Sequence, residues 1–235
     1  MPDQTDPHAS QWNDKHKCAL VFVKAPIKEG VKTRLSKNMP AGLVLDLYKN
    51  FVKDILENLE AGGHHIIIYF YPKQEASRVR EWLGDKYTFK PQTGKNLGER
   101  MANAFSSEFS EGYQQALLIG TDFPDLPGSI INEAFEGLST HAAVIGPAVD
   151  GGYYLIGFRA GTFYPHIFKN IPWGTARVYC NTIQILKNTG YKIHVLPEWR
   201  DIDDYRDLEN FIQTNRKEKS AATHTLRYLK KIGLL

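Results

Sequence analysis

The chain is poor in the features that would tie it to zinc, to a membrane or to an oxidising compartment. Its two cysteines, Cys18 and Cys180, have no Cys or His partner at metal-site spacing. Both are expected to be buried free thiols. The eight histidines are scattered, and none forms a metal-spaced pair. No apolar run approaches the ~20 residues that span a bilayer. The opening segment MPDQTDPHASQWNDKHK lacks the apolar centre of a signal peptide. Residues 1–16 are therefore read as a frayed polar leader, residues 17–235 as one domain, and the cytoplasm as the expected location. No G-x-S-x-G elbow occurs and no G-x-G-x-x-G follows the first strand, which counts against a serine hydrolase and a dinucleotide oxidoreductase. The formal net charge is only +3. Much of the excess lies between Arg216 and Lys231, which is too weak and local for nucleic-acid binding and fits a solvated helix face.

What remains is an ordinary globular composition, 42% hydrophobic and 23% charged. At 235 residues one core is expected. CALVFVKAP, residues 18–26, is short, β-branched and closed by Pro26, so it reads as a buried strand. Leu43, Leu47, Phe51, Ile55 and Leu59 recur at helical spacing between about residues 40 and 60. Val44, Tyr48 and Val52 widen that stripe. IIIYFYP, QALLIG and YKIHVLPE read as further strands, with a weak one at 87–90. AAVIGPAVDGGYYLIGF reads as two strands split at Asp150–Gly152. Helical segments fall between them. This alternation predicts an α/β fold, Rossmann-like, with a mostly parallel central sheet and helices on both faces. Ligands of such sheets bind beyond the carboxyl ends of the strands.

Three polar clusters follow predicted strands. The first, KAPIKEGVKTRL, carries Lys24, Lys28, Lys32 and Arg34, with Gly30 for close backbone approach and Thr33 for a hydroxyl. Arg offers a bidentate fork and Lys a point charge, which suits a polyphosphate. The spacing is not that of a P-loop, and a basic surface turn has the same composition. The second, IGTDFPDLP, places Asp122 at the end of a buried strand, where a carboxylate is costly without a partner such as a hard divalent cation. Asp125 better fits a turn or cap. The third, GPAVDGGYYLIG, sets Asp150 in a glycine turn between segments that look buried on both faces. That turn fits a hairpin or the rim of a cleft. One of Tyr153 and Tyr154 is expected in the core. Farther on, Thr175 of PWGT fits a helix N-cap, and Trp173 either walls a pocket or packs. In RDIDDYRDL, Asp201 or Asp203 could cap the next helix, or supply a second metal ligand.

Six strings, KAPIKEGVKTRL, QTGKNLGERMANAF, IGTDFPDLP, GPAVDGGYYLIG, IPWGT and DIDDYRDL, run in order from about residue 18 to residue 212. Together they resemble an uncharacterised bacterial group of GT-A-like, nucleotide-diphospho-sugar transferase-type proteins associated with radical-SAM and selenoprotein-domain genes. They are more distantly similar to the guanylyltransferases of molybdopterin and phospholactate. The resemblance implies a single-domain GT-A fold. It implies nucleotide-phosphate binding by Lys24, Gly30, Lys32 and Arg34, joined in this reading by Thr33, Gly98 and Arg100. It implies a divalent metal, Mg or Mn, on Asp122 with Asp203 as second ligand. Asp122 and Asp150 are the catalytic candidates, Asp150 facing the sugar or acceptor. Two positions depart from the group: Asn96 where Asp is frequent, and Asp204 where Thr is frequent.

The expected activity is metal-dependent transfer from a nucleotide or nucleotide-sugar donor to a small-molecule acceptor. Nucleotidyl transfer with release of pyrophosphate is one alternative, and a non-catalytic nucleotide-binding module another. No nucleic-acid or membrane partner is expected, and a homodimer is left open.

Overall fold

A computed structural model describes residues 16–28, 30–215 and 220–235. The expected leader, apart from His16, lies outside the described residues, as do 216–219 of the basic tail. The helices and strands follow the anticipated order. They are β1 (Lys17–Lys24), α1 (Ala41–Ala61), β2 (Ile66–Tyr71), α2 (Ala76–Leu83), β3 (Thr88–Pro91), α3 (Leu97–Ser110) and β4 (Gln115–Ile119). Then come α4 (Gly128–Thr140), β5 (Ala143–Pro147), β6 (Tyr153–Arg159), α5 (Val178–Asn188), β7 (Ile193–Val195), α6 (Tyr205–Asn215) and α7 (Thr223–Lys231).

The strands form one sheet in the order β3-β2-β1-β4-β6-β5-β7. Only β6 runs against its neighbours, pairing antiparallel with β4 and β5. The glycine turn at Asp150–Gly152 makes this reversal. The chain works outward from β1 to β2 and β3, then returns to place β4 on the other side of β1. The crevice beyond β1 and β4 is thus the point where strand order reverses, the usual ligand position in open α/β sheets.

Alternation along β1 shows how the two faces are filled. Ala19, Val21 and Val23 join a core with Ile55, Leu59 and Phe135 from α1 and α4. Cys18 and Leu20 point the other way, into a core with Met101 and Phe105 of α3 and Leu186 of α5. A third cluster explains the breadth of the α1 stripe. Leu47 and Phe51 leave the sheet side and pack with Leu208 and Phe211 of α6 and Leu229 of α7. The helix is apolar on two faces because it is covered on two faces. Asp54, fully buried on α1, accepts bonds from His224 N at 2.7 Å and Thr225 N at 2.9 Å, which fixes the start of α7. One expectation is corrected: Cys18 is buried, but Cys180 lies on the outer face of α5 and is exposed.

Candidate active site cleft

The loops after β1 and β4 enclose a cleft of about 420 Å³ lined by Lys24, Lys32, Thr33, Arg34, Asp122 and Asp203. A neighbouring space of about 510 Å³ shares Arg34, Asp122 and Asp203, and adds Asp150, Tyr153, Trp173 and Asp201. Four separate stretches of chain therefore supply charged groups to one crevice. Each leaves a strand or a strand-linked turn at the same edge of the sheet.

Lys32 is its centre. Its Nζ lies 2.7 Å from Asp122 Oδ1 and 3.0 Å from Asp203 Oδ1, and its side chain is 5% exposed. Burial opposes an ammonium there, but the two carboxylates outweigh it and raise its pKa, so Lys32 stays charged. Its backbone φ is +47°, a left-handed conformation that costs a non-glycine residue about 1–3 kcal/mol. Its carbonyl accepts from Ser36 N at 3.1 Å and its Nζ is held by the paired carboxylates. Arg34 Nη1 reaches Asp203 Oδ2 at 3.1 Å from a more exposed position. Burial would raise the Asp203 pKa, but Lys32, then Arg34, bring it below the usual carboxylate range.

At the far side, Asp150 Oδ1 accepts from Gly152 N at 2.8 Å, so the turn closes on its own aspartate. The hairpin and cleft readings of this turn both hold. Gly151 has φ +87°, and a Cβ there would sit 2.2 Å from the Ala176 carbonyl oxygen. Only glycine allows the turn to press this closely on the segment before α5. Asp201, 8% exposed, has its pKa raised to about 6 by burial and then by the Asp150 and Asp203 charges. Tyr153 lines the cleft with Trp173, their rings edge to face at 6.4 Å. Tyr154 is the core tyrosine, its hydroxyl donating to the Pro197 carbonyl.

Other candidates fall elsewhere. Gly30 is exposed, donates its N–H to Ile27 O at 3.0 Å, and is not part of the cleft wall. Gly98 is buried in α3 under Phe168 and Trp173, where a Cβ would come within 2.6 Å of the Phe168 carbonyl oxygen. It serves close packing outside the cleft wall. Arg100 stacks its guanidinium 3.8 Å from the Tyr71 ring centroid and donates to Gly94 O, also away from that wall. Asp125 accepts from Trp199 Nε1 and Asn215 Nδ2, a structural role. Thr175 is not the N-cap of α5: Arg177 holds that position without a side-chain cap, and Thr175 Oγ1 accepts from Arg177 N at 3.3 Å in the turn before it. Neither Asp201 nor Asp203 caps α6. Asp204 does, accepting from Asp207 N at 3.0 Å while Asp207 Oδ2 accepts from the backbone of Asp203 and Asp204. This leaves the side chains of Asp201 and Asp203 to the cleft.

Tyr48 belongs to the cleft and was hidden in the apolar stripe of α1. Its hydroxyl accepts from Lys24 N at 2.8 Å and donates to Lys24 O at 3.1 Å, holding the end of β1. The signal available was a tyrosine in a buried stripe, which needs a partner for its hydroxyl.

The oxygen donors of Asp122 and Asp203 suit a hard divalent cation. One oxygen of each is engaged by Lys32, so the pair fits a metal better with that ammonium withdrawn. Among the described residues, three metal-ligand atoms gather within 4.8 Å only at Asp54, Glu57 and His224. That trio sits on the α1–α7 contact, where Asp54 already accepts three hydrogen bonds.

Fold and cleft together define the class: this is the α/β fold of nucleotide-diphospho-sugar transferases and nucleotidyltransferases. Within it, the chain belongs to the family described as "Uncharacterized protein conserved in bacteria (DUF2064)", whose profile matches residues 55–175. It is similar to a provisionally named nucleotide-diphospho-sugar transferase from Desulfovibrio desulfuricans G20. The two are 36% identical over 92% of this chain and 96% of that one, with a TM-score of 0.86. A cytidylyltransferase from Leptospira borgpetersenii serovar Hardjo-bovis shares the fold, with a TM-score of 0.56 and 12% identity over 92% and 93% of the two chains. So does CMP:2-keto-3-deoxy-manno-octonic acid synthetase complexed with CTP, with a TM-score of 0.53 and 10% identity over 87% and 100%. No curated protein sequence matches the chain significantly. No helix among the described residues is long and apolar enough to cross a membrane.

Proposed function

We propose that the protein is a transferase that takes a group from a nucleotide-activated donor, with the donor phosphates seated among Lys24, Lys32 and Arg34. One observation carries this reading. Lys24 at the end of β1, with Lys32 and Arg34 from the loop after it, lines one cleft with Asp122 from the loop after β4 and Asp203 from the loop before α6, at the point where strand order reverses. The 36%-identical relative named as a nucleotide-diphospho-sugar transferase supports sugar transfer as the first choice.

In this reading the cations hold the diphosphate and offset the negative charge that grows on it as its bond to the transferred group breaks. Trp173 and Tyr153 form the wall for the transferred group, and Asp150 lies beside it. Asp122 and Asp203 would hold a divalent ion, which supplies further charge neutralisation at the phosphates. The described residues place no nucleophile with an adjacent base in the cleft, so positioning and electrostatics carry the rate.

The test is a thermal-shift panel of nucleoside di- and triphosphates and nucleotide sugars, with and without Mg or Mn. A ligand of the folded state raises the Tm according to its concentration relative to its Kd. A metal-dependent rise is expected, lost in Asp122→Ala. Equal shifts with and without metal in both proteins would leave a nucleotide-binding module in place of the metal-assisted enzyme. Incubating the donor that binds then separates two chemistries. Free nucleoside diphosphate indicates sugar transfer or hydrolysis, and pyrophosphate indicates nucleotidyl transfer.

A further inference from the structure

We propose that Lys32 is a resident counter-cation that keeps a divalent ion off Asp122 and Asp203 until a polyphosphate draws its ammonium away. The inference rests on the cleft being a nucleotide site and adds the order in which its components assemble.

The geometry is that of an occupied cation position. The Lys32 Nζ lies within 3.0 Å of carboxylate oxygens from two distant parts of the chain. An ammonium has three donors, and two are spent on these oxygens. A small divalent ion requires oxygens at about 2.0–2.6 Å, and the one oxygen of each carboxylate that faces the other is already taken up by the ammonium. Charge strengthens the exclusion. Metal and ammonium side by side, in a site where Lys32 is almost wholly out of water, would repel strongly.

The ammonium also has somewhere to go. Lys24, Thr33 and Arg34 line the same half of the cleft, so phosphate oxygens held by them would lie within reach of a small rotation of the Lys32 side chain. The backbone of Lys32 is left-handed and lies between Val31 and the short helical turn Leu35–Lys37, outside any regular element. Its carbonyl accepts from Ser36 N at 3.1 Å, while its side chain is held only by the two ion pairs. Moving the ammonium to phosphate frees Asp122 and leaves Asp203 with Arg34 alone, at the moment the polyphosphate needs a metal. Metal and nucleotide then bind cooperatively, since each removes what opposes the other.

The test is a titration of the full chain with Mn²⁺ alone, free Mn²⁺ being read by electron paramagnetic resonance. Wild type is expected to bind Mn²⁺ in the cleft weakly. Lys32→Met should bind it at least about tenfold more tightly, a coupling in the range usual for linked sites. The gain should vanish in the Lys32→Met/Asp122→Asn double variant, which separates the cleft from the Asp54, Glu57 and His224 trio. Should Lys32→Met not fold, Lys32→Gln carries the same comparison. Equal Mn²⁺ affinity in wild type and the Lys32 variant overturns the proposal, as does a gain that survives Asp122→Asn. Because this titration contains no nucleotide, its failure leaves the transferase reading standing. That reading falls separately, if no nucleotide or nucleotide sugar shifts the wild-type Tm.

Discussion

Asp201 shows how much a single carboxylate is constrained in this cleft. It is nearly buried, repelled by Asp150 and Asp203, and among the described residues no cation pairs with it. Its folded pKa, about 6, lies above the ordinary 3.8. Below pH ~4 both folded and unfolded chains hold the proton, and the group has no effect on stability. As pH rises from ~4 to ~6 the unfolded chain loses its proton first, so stability falls. Above ~6 the full penalty, about 2–3 kcal/mol for this displacement, is present. Asp201→Asn should therefore raise the Tm at pH 7.5 and leave it unchanged at pH 4. Thermal melts at both pH values decide it, and an Asn variant no more stable at pH 7.5 would mean the repulsion is absent. The same residue marks a limit of sequence reading. Spacing alone leaves Asp201 and Asp203 interchangeable as helix caps, and the cap is Asp204. Only the fold shows which one turns to the α6 backbone and which face the cleft.

At the scale of elements, both departures from the related group fall on helix N-caps. Asn96 accepts from Glu99 N at 2.9 Å at the start of α3, while Glu99 Oε2 accepts from Lys95 N at 2.8 Å. Asp204 plays the same part for α6. Asn and Asp cap about equally well, and Thr only slightly less well, so each exchange keeps the cap. Asn96→Asp should change stability by less than about 0.5 kcal/mol, whereas Asn96→Ala should cost about 1 kcal/mol. Chemical denaturation at matched m-values checks both, and an Ala variant as stable as wild type would remove the cap from the account. The helices and strands were legible because their signals are strong: a short, unbroken, β-branched run closed by Pro26 for β1, and an apolar residue every third or fourth along α1. The turn at Asp150 was legible as a reversal. The sites of Gly98 and Arg100 were not. GKNLGER is rich in the residue types that bind phosphate, and only tertiary contact shows Gly98 under Trp173 and Arg100 on Tyr71.

Across the whole molecule, the sequence implied strands with ligand loops at one edge, but strand order lay beyond it. Pairing of β1 with β4 depends on how α1, α3 and their connections cross the sheet, which no local pattern encodes. The same holds for the third layer. Asp203 reaches the cleft from the loop leading into α6. That helix is held by Leu208 and Phe211 against Leu47 and Phe51 of α1 and Leu229 of α7. The start of α7 is in turn fixed to α1 by Asp54, which accepts from His224 N, Thr225 N and Thr225 Oγ1. A cleft acid is thus supported from the opposite side of the sheet's helical cover. Asp54→Ala would strand two backbone donors and a buried hydroxyl, and should cost about 3 kcal/mol. The loss should be uneven. Amides of α7 and then α6 should exchange faster, while β1 and β4 keep their protection until global unfolding. Hydrogen exchange with mass spectrometry reads this directly. If protection in Asp54→Ala falls uniformly, or the Tm does not move, the C-terminal layer is not anchored through Asp54. If α7 loosens as expected, nucleotide affinity should fall with it, because Asp203 then loses the rigid support that sets it opposite Lys32.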